Sequence, residues 1–75
     1  MSSKLEFLLK YKFSYIYDGY QKFCMVDSDG EKIYDLDKMD PRNVYLWELA
    51  KVGDKLTAMA TPTSAGIRIS IVKLN

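Results

Sequence analysis

Few residues in this sequence are of a type that could carry catalysis. Histidine is absent and Cys24 is the single cysteine, which excludes the usual general base and a Cys/His zinc cluster. A lone cysteine also excludes an internal disulfide, and Cys24 lies in an apolar run typical of an inert core thiol. The Ser, Lys and Asp residues show neither nucleophile-elbow nor phosphate-loop spacing. We therefore expect a protein that is not an enzyme and uses no cofactor.

Residues 27–31 (Asp-Ser-Asp-Gly-Glu) have the composition of a calcium-binding loop. If Gly30 took the sixth position of such a loop, Met25 would take the first and Leu36 the twelfth. Both side chains are apolar where the loop needs an oxygen ligand, so no metal site is predicted. The Asp-Gly pair is typical of a hairpin turn instead.

Tyrosine and lysine are the residues that suggest a binding function. The chain has six Tyr, and proteins bind single strands on aromatic platforms beside a basic groove. We expect tyrosines near strand ends to reach the surface, and cations of the first and last strands to converge if those strands are neighbours; the alternative is a solvated outer face. The candidate contacts to single-stranded nucleic acid are Lys10, Lys12, Tyr17, Tyr20, Lys22, Tyr34, Arg68 and Lys73.

The charge distribution favours a second kind of partner. The net charge is +1: residues 1–17 carry +2 (three Lys, one Glu), residues 18–40 carry −4 (three Lys, seven acids) and residues 41–75 carry +3 (five bases, two acids). An acidic middle segment and many aromatic residues are also compatible with a protein-interaction module, such as an adaptor or an inhibitor of a larger enzyme. Its candidate interface residues are Asp27, Asp29, Asp35 and Asp37.

The elements that must position these residues begin with one long strand. Residues 6–17 alternate, with Phe7, Leu9, Tyr11, Phe13, Tyr15 and Tyr17 on one face, and Lys10 and Lys12 on the other. We expect the aromatic face to be core and the lysine face to be solvated. A strand of this length must coil or bend in so small a domain, and it could also pair with a second copy in a homodimer.

Turn residues divide the rest of the chain. Asp18-Gly19 marks a turn, and Asp29-Gly30 predicts a hairpin that pairs Val26 with Ile33, Met25 with Tyr34, Phe23 with Leu36 and Asp27 with Lys32. Residues 55–61 and 67–74 read as two further strands joined by a mobile loop over residues 61–66. The alternation of the last strand slips near Val72, as a β-bulge would produce.

Residues 37–53 are ambiguous. Asp40-Pro41 resembles a helix start and Gly53 a helix stop, which favours a helix of about three turns with Tyr45, Leu49 and Val52 in one stripe. Residues 44–47 (Val-Tyr-Leu-Trp) also have high strand propensity. We expect the helix, and with it a mainly β order β-β-β-α-β-β.

This order resembles the OB-fold, a small five-stranded barrel with one helix between its third and fourth strands. A local pattern is similar to bacterial single-stranded-DNA-binding proteins, in which a Trp and a Leu-Ala pair precede a Lys-Gly-Asp turn and an alternating strand. The matching residues are Trp47, Leu49-Ala50, Gly53-Asp54, Leu56 and Ala58. The segment after Ala50 is shorter here, and no Gly closes the following strand. An SH3-like barrel is the alternative if residues 44–49 form a strand.

Chain length and hydropathy predict the number of domains and the location of the protein. Seventy-five residues predict one small β-barrel domain over residues 1–75. Glu6, Lys10 and Lys12 interrupt the apolar segment near the N-terminus, and no apolar stretch approaches the length of a membrane span. We expect a cytoplasmic protein with no membrane partner.

Overall fold

A computed structural model describes residues 2–75, which form five strands and one helix. The elements are β1 (Ser3–Tyr17), β2 (Tyr20–Asp27), β3 (Ile33–Leu36), α1 (Arg42–Leu49), β4 (Lys55–Thr63) and β5 (Gly66–Leu74). The strands form one closed sheet in the order β1-β2-β3-β5-β4, in which only the β3–β5 pair is parallel. The predictions of a mainly β protein, of one short helix and of the element order are confirmed.

β1 belongs to both halves of the closed sheet. Its first part, Ser3 to Leu8, pairs with β4, and its second part, Leu9 to Tyr17, pairs with β2. The register with β2 shifts between Leu9 and Tyr11, so Lys10 is an extra residue on β1. Such a bulge bends and twists a strand, which lets 15 residues follow a small sheet. The prediction that β1 must bend is confirmed.

The bulge at Lys10 exchanges the two faces of β1, because one extra residue shifts the alternation by one. Before the bulge, Phe7 and Leu9 point into the core. After it, Lys12 pairs with the fully buried Met25 and shares its inward face. The assignment of one core face running from Phe7 to Tyr17 is therefore wrong beyond Leu9. The aromatic residues Tyr11, Phe13, Tyr15 and Tyr17 lie on the outer face instead.

The core fills the inside of the closed sheet. It is a cluster of buried side chains from every strand and from the end of the helix segment: Phe7, Leu9, Met25, Tyr34, Ala50, Leu56, Ala58, Ile69 and Ile71. The Phe7 and Tyr34 rings meet edge to face with centroids 4.9 Å apart, a favourable aromatic geometry.

The two Asp-Gly turns differ in backbone conformation. Asp18 and Gly19 both have positive φ (53° and 79°) in a two-residue turn that joins Tyr17 to its partner Tyr20. At the second turn the positive values fall on Gly30 and Glu31, not on Asp29 as expected, because the loop has four residues. The predicted pairs Val26–Ile33 and Met25–Tyr34 are nevertheless confirmed.

The ends of the second hairpin depart from the prediction. The β2–β3 ladder ends at Cys24–Asp35, before the expected Phe23–Leu36 pair, and Phe23 packs edge to face on Trp47 with ring centroids 5.0 Å apart. Asp27 faces Lys32 only through the backbone, where its N–H donates to the Lys32 carbonyl over 2.8 Å. The expected charge pair does not form because the Asp27 carboxylate is turned inward.

The helix is shorter than expected, with eight residues instead of about three turns. The Asp40 carboxylate accepts a hydrogen bond of 3.1 Å from the Arg42 N–H, so Asp40 supports the helix start as its type predicts. The stripe of Tyr45, Leu49 and Val52 is exposed, while Leu46 and Trp47 pack on the core. Residues 44–49 are helical, so the condition for an SH3-like barrel is not met.

β4 and β5 both run closer to the turn that joins them than expected. Thr63 pairs with Gly66, so the predicted loop over residues 61–66 is a tight turn at Ser64-Ala65. The register shift between Thr57 and Ala58 leaves Val72 as the extra residue of β5, which confirms the predicted bulge. Within residues 2–75, no helix has the length and apolar character needed to span a membrane.

Candidate functional site

The outer face of β1, β2 and β3 holds the strongest candidate site. Cross-strand pairing arranges its side chains in rows: Tyr11–Val26–Ile33, Phe13–Cys24–Asp35–Arg68, Tyr15–Lys22 and Tyr17–Tyr20. Paired residues share a face, so each row runs across the same side of the sheet. Val26 and Cys24 are buried there although they lie outside the core cluster, because larger side chains flank them in the neighbouring strands.

Tyr11, Phe13 and Tyr15 form a continuous line of rings along β1, here named the aromatic row. The ring centroids of Tyr11 and Phe13 are 6.2 Å apart, as are those of Phe13 and Tyr15, and the latter two rings are stacked. Tyr11 and Tyr15 are each 44% exposed, and Phe13 is half-buried between them. A line of partly exposed rings offers flat apolar surfaces that a ligand can reach.

A cleft of about 510 Å³ lies beside the first residues of β2, on the side of β2 away from β1, and its lining includes Lys22, the cross-strand partner of Tyr15. It is bounded by the start of β2, the segment after β3, the start of α1 and the β4–β5 turn. Its charged side chains are Lys22, Lys38 and Arg68 against Asp35 and Asp37, which gives 3 − 2 = +1. The cleft is therefore mixed in charge, with a small excess of cations.

Two contacts hold cations at the wall of this cleft. Arg68 Nε lies 3.9 Å from Asp37 Oδ2, and the other carboxylate oxygen of Asp37 accepts the Met39 N–H over 2.9 Å. Lys38 Nζ stands 5.5 Å from the ring centroid of Tyr20, within the range of a cation–π contact. Within residues 2–75, the Lys22 ammonium group makes no side-chain hydrogen bond, ion pair or cation–π contact, so it is available to a ligand.

Cys24 lies beneath the aromatic surface and does no visible chemistry there. Its thiol donates to Asp35 Oδ1 over 3.1 Å. Burial, and then the Asp35 carboxylate, raise the pKa of Cys24 to about 12. A thiol with such a pKa stays protonated at neutral pH, so it is a poor nucleophile and metal ligand.

The structure brings together only part of the predicted cationic and tyrosine set. Tyr17, Tyr20, Lys22 and Arg68 share the outer face. Tyr17 and Tyr20 are each 65% exposed, as expected for tyrosines near strand ends. These four residues are the part of the prediction that the fold places at one site.

Two predicted contacts, Lys10 and Lys73, lie elsewhere because of the bulge and the strand order. Lys10 is at the bulge, where its Nζ pairs with Glu31 and lowers the pKa of that carboxyl group. The first and last strands had been expected to be neighbours. Instead, β4 lies between β1 and β5. Lys73, opposite Thr57 in β4, is therefore not brought beside Lys10 and Lys12.

Lys12 and Tyr34 are internal contacts instead of surface groups. Lys12 Nζ donates to the carbonyl oxygens of Trp47 and Glu48 over 2.6 and 3.0 Å. Tyr34 is 2% exposed, and its hydroxyl donates to Asp27 Oδ2 over 2.7 Å. The expectation that Tyr34 reaches the surface is wrong, since it is fixed in the core. Lys12 is turned toward the helix by the bulge, and its ammonium group is engaged there.

The predicted acidic interface is also divided. Asp27 is buried, and its carboxylate accepts hydrogen bonds from Tyr34 and from the Asp29 N–H. Asp29 is exposed at the tip of the β2–β3 turn, whereas Asp35 and Asp37 line the cleft. The four carboxylates do not form one surface.

Sequence reasoning missed the aromatic row and Lys38. Tyr11, Phe13 and Tyr15 had been assigned to the core because the alternation was read straight through Lys10. No local signal in the sequence marks the change of phase: Leu8 and Ile16 are apolar residues of the opposite alternation, but both are exposed.

Comparison with known proteins finds no matching family model, no matching curated protein and no matching solved structure. The function must therefore be argued from the outer face itself.

Proposed function

We propose that this chain is a non-enzymatic module that binds single-stranded nucleic acid across the outer face of β1, β2 and β3. The observation that carries the proposal is the aromatic row together with a cleft on the other side of β2, which is lined by Lys22, Lys38 and Arg68. Bases stack on aromatic side chains in such sites, and cations contact the phosphates.

The architecture supports the proposal. We propose that the closed sheet is an OB-type barrel, since the helix lies between the third and fourth strands and one pair of strands is parallel. OB-folds bind oligonucleotides on the face of strands 2 and 3 and between the loops L12 and L45. The corresponding turns here are Asp18-Gly19 and Ser64-Ala65, and Tyr20 and Ser64 line the same cleft.

The three cations set the strength and salt dependence that we expect. Each phosphate neutralised on a single strand contributes about −0.7 to the slope of log K against log salt. Three contacts give a slope of about −2, so the binding is modest and weakens as salt rises. Stacking then supplies much of the affinity, at about 1–3 kcal/mol per base.

The experiment is a fluorescence titration of labelled DNA and RNA oligonucleotides at two salt concentrations. Tyr15→Ala removes a ring of the aromatic row and is expected to weaken binding by about 1–3 kcal/mol. Lys22→Met should lower the salt slope by about 0.7. Tyr45→Ala is the matched control, because Tyr45 is 65% exposed on the helix and lies outside the cleft. No binding at low salt, or equal losses in the Tyr15 and Tyr45 variants, would contradict the proposal.

A protein-interaction module is the second candidate, and the mixed charge of the cleft favours it. Asp35 and Asp37 lie among the three cations, where carboxylates weaken attraction for phosphate. A partner protein would contact both signs of charge and anchor on the exposed tyrosines. The discriminating pair is Asp37→Asn against Lys22→Met: stronger oligonucleotide binding by the first supports nucleic acid, while loss of a captured protein partner by the first supports this alternative.

A further inference from the structure

In the second half of the β1–β2 hairpin, the edge of β1 that faces away from β2 has no strand beside it. β1 pairs with β4 only as far as Leu8, and β2 pairs with β3 only from Cys24 onward. Residues 14–23 of the hairpin, here named the arm, therefore pair only with one another within the described chain. One edge of β1 in the arm faces no other strand among residues 2–75.

The hydrogen-bonding groups of this edge can be assigned from the turn. Tyr17 and Tyr20 close a two-residue turn, and such a closing pair exchanges backbone hydrogen bonds. Because hydrogen-bonded and non-hydrogen-bonded pairs alternate, Phe13 and Tyr15 also bond to β2. The N–H and C=O groups of Ser14 and Ile16 therefore point away from β2, toward the open edge.

The edge lacks the features that normally prevent strand pairing. Natural edges carry charged residues, proline, bulges or a cover. Residues 13–17 are Phe-Ser-Tyr-Ile-Tyr, with no charge and no proline, and both bulges lie outside them. The neighbouring Lys12 ammonium is occupied by the helix carbonyls. Ile16 is 76% exposed, which is a large apolar surface for an edge.

We propose that this edge pairs with the same edge of a second copy, antiparallel, to form a homodimer. Such pairing is symmetric, so one edge can serve both copies. With Tyr15 opposite Tyr15 of the other copy, Ser14 and Ile16 exchange both backbone hydrogen bonds across the axis. A two-stranded arm is marginal in water, and the dimer turns it into a four-stranded sheet.

The side chains fit this register. On the outer face, Tyr15 meets its counterpart and Phe13 meets Tyr17 of the other copy, and aromatic cross-strand pairs are favourable. The aromatic rows of the two copies then become one surface across the axis. The contact stays within residues 13–17, clear of Leu9, whose backbone already bonds to Gly53 and Asp54.

The first test is the mass of the protein in solution, measured by sedimentation equilibrium over a wide range of concentration. The native chain is expected to be a dimer that dissociates on dilution. Ser14→Pro removes an edge-facing N–H without touching the β2 ladder, and Ile16→Lys adds a charge to the edge; both are expected to give folded monomers. This readout does not depend on nucleic acid, so it stands or fails separately from the proposed function.

The second test is cross-linking in a Cys24→Ala background. Tyr15→Cys places a thiol at the symmetry axis in a non-hydrogen-bonded pair, where Cα atoms are about 4.5 Å apart, within the range of a disulfide. Tyr17→Cys is the matched control, since it is on the same face but away from the axis. Covalent dimers of the Tyr15 variant alone support the proposal. A monomer at all concentrations, a dimer unaffected by both edge variants, or equal cross-linking at both positions would overturn it.

Discussion

Lys12 Nζ donates a hydrogen bond of 2.6 Å to the carbonyl oxygen of Trp47 and stands 4.5 Å from the centroid of the Trp47 ring. A second bond reaches the Glu48 carbonyl, so the ammonium group caps the last turn of α1 from a distant strand. The positive charge there also complements the negative end of the helix. Lys12 therefore joins β1 to the helix and is not a surface cation.

Lys12→Met is expected to destabilise the fold by about 1–3 kcal/mol, because it leaves two helix carbonyls without this partner and removes the cation–π contact. Oligonucleotide affinity should not change, since Lys12 faces away from the aromatic row. Urea denaturation and the titration measure the two effects. Lys4→Met, an exposed lysine in the first half of β1, is the control. A Lys12 variant that is as stable as the native chain but binds oligonucleotides more weakly would show that Lys12 contacts the nucleic acid and would contradict this structural role.

Asn43→Ala is expected to cost about 2–4 kcal/mol of stability. The buried Asn43 accepts the Ile71 N–H at Oδ1 over 2.8 Å and donates from Nδ2 to the Asp37 carbonyl over 2.8 Å. Alanine leaves the buried Ile71 N–H without this partner, and the Asp37 carbonyl keeps only its 3.3 Å hydrogen bond from the Asp40 N–H. Thermal or urea unfolding measures the loss, with Glu48→Ala on the exposed side of the helix as the control. A loss no larger than the control's would contradict this role.

Tyr34→Phe is expected to lower stability by about 1–3 kcal/mol, since the buried Asp27 carboxylate loses the 2.7 Å bond from the Tyr34 hydroxyl. Binding of oligonucleotides should be unchanged because the ring is in the core. Tyr45→Phe, at an exposed position, is the matched control for both measurements. Weaker binding without loss of stability would indicate that Tyr34 reaches the ligand after all.

Stability is expected to fall as pH rises above about 9. The ordinary pKa values of Cys24 and Tyr34 are 9.0 and 10.0; burial, followed by the neighbouring carboxylates Asp35 and Asp27, raises both pKa values in the fold. Above pH 9 the unfolded chain therefore binds fewer protons than the folded one, so the free energy of unfolding decreases. The part due to Cys24 ends near its folded pKa of about 12, and the part due to the raised pKa of Tyr34 continues beyond it.

Urea titrations between pH 8 and about 11 measure this decrease. Cys24→Ala removes the earlier part of it and leaves the part due to Tyr34, which begins about one pH unit higher. A stability that stays flat over this range would show that the two groups ionise as freely in the fold as in the unfolded chain.

The fold could be predicted as far as local rules decide it. Asp18-Gly19 required a tight turn, the alternation of β5 slipped at Val72 where the bulge lies, and Asp40 supports the helix start. The extent of the helix was overestimated because Tyr45, Leu49 and Val52 are spaced for a buried stripe, whereas the sheet offers a surface only to Leu46, Trp47 and Ala50.

The candidate site was predictable only in its residue types. The abundance of tyrosine and lysine pointed to an aromatic and basic surface, and Tyr17, Tyr20, Lys22 and Arg68 do share one face. Lys10 and Lys73 lie elsewhere because Lys10 is the extra residue of the bulge and Lys73 pairs with β4. Pairing between segments far apart in the chain decides both positions and leaves no local pattern in the sequence.

The long first strand separates what the sequence determines from what only the tertiary structure decides. The alternation of residues 6–17 predicted a strand, and its length predicted that the strand would coil or bend. Only the tertiary structure decided which alternation faces water. The extra residue at Lys10 is needed for β1 to leave β4 and follow β2, and this single residue turns Lys12 inward and the rings of Tyr11, Phe13 and Tyr15 outward. Side-chain direction in a strand has a period of two, so a one-residue shift set by long-range pairing reverses it completely.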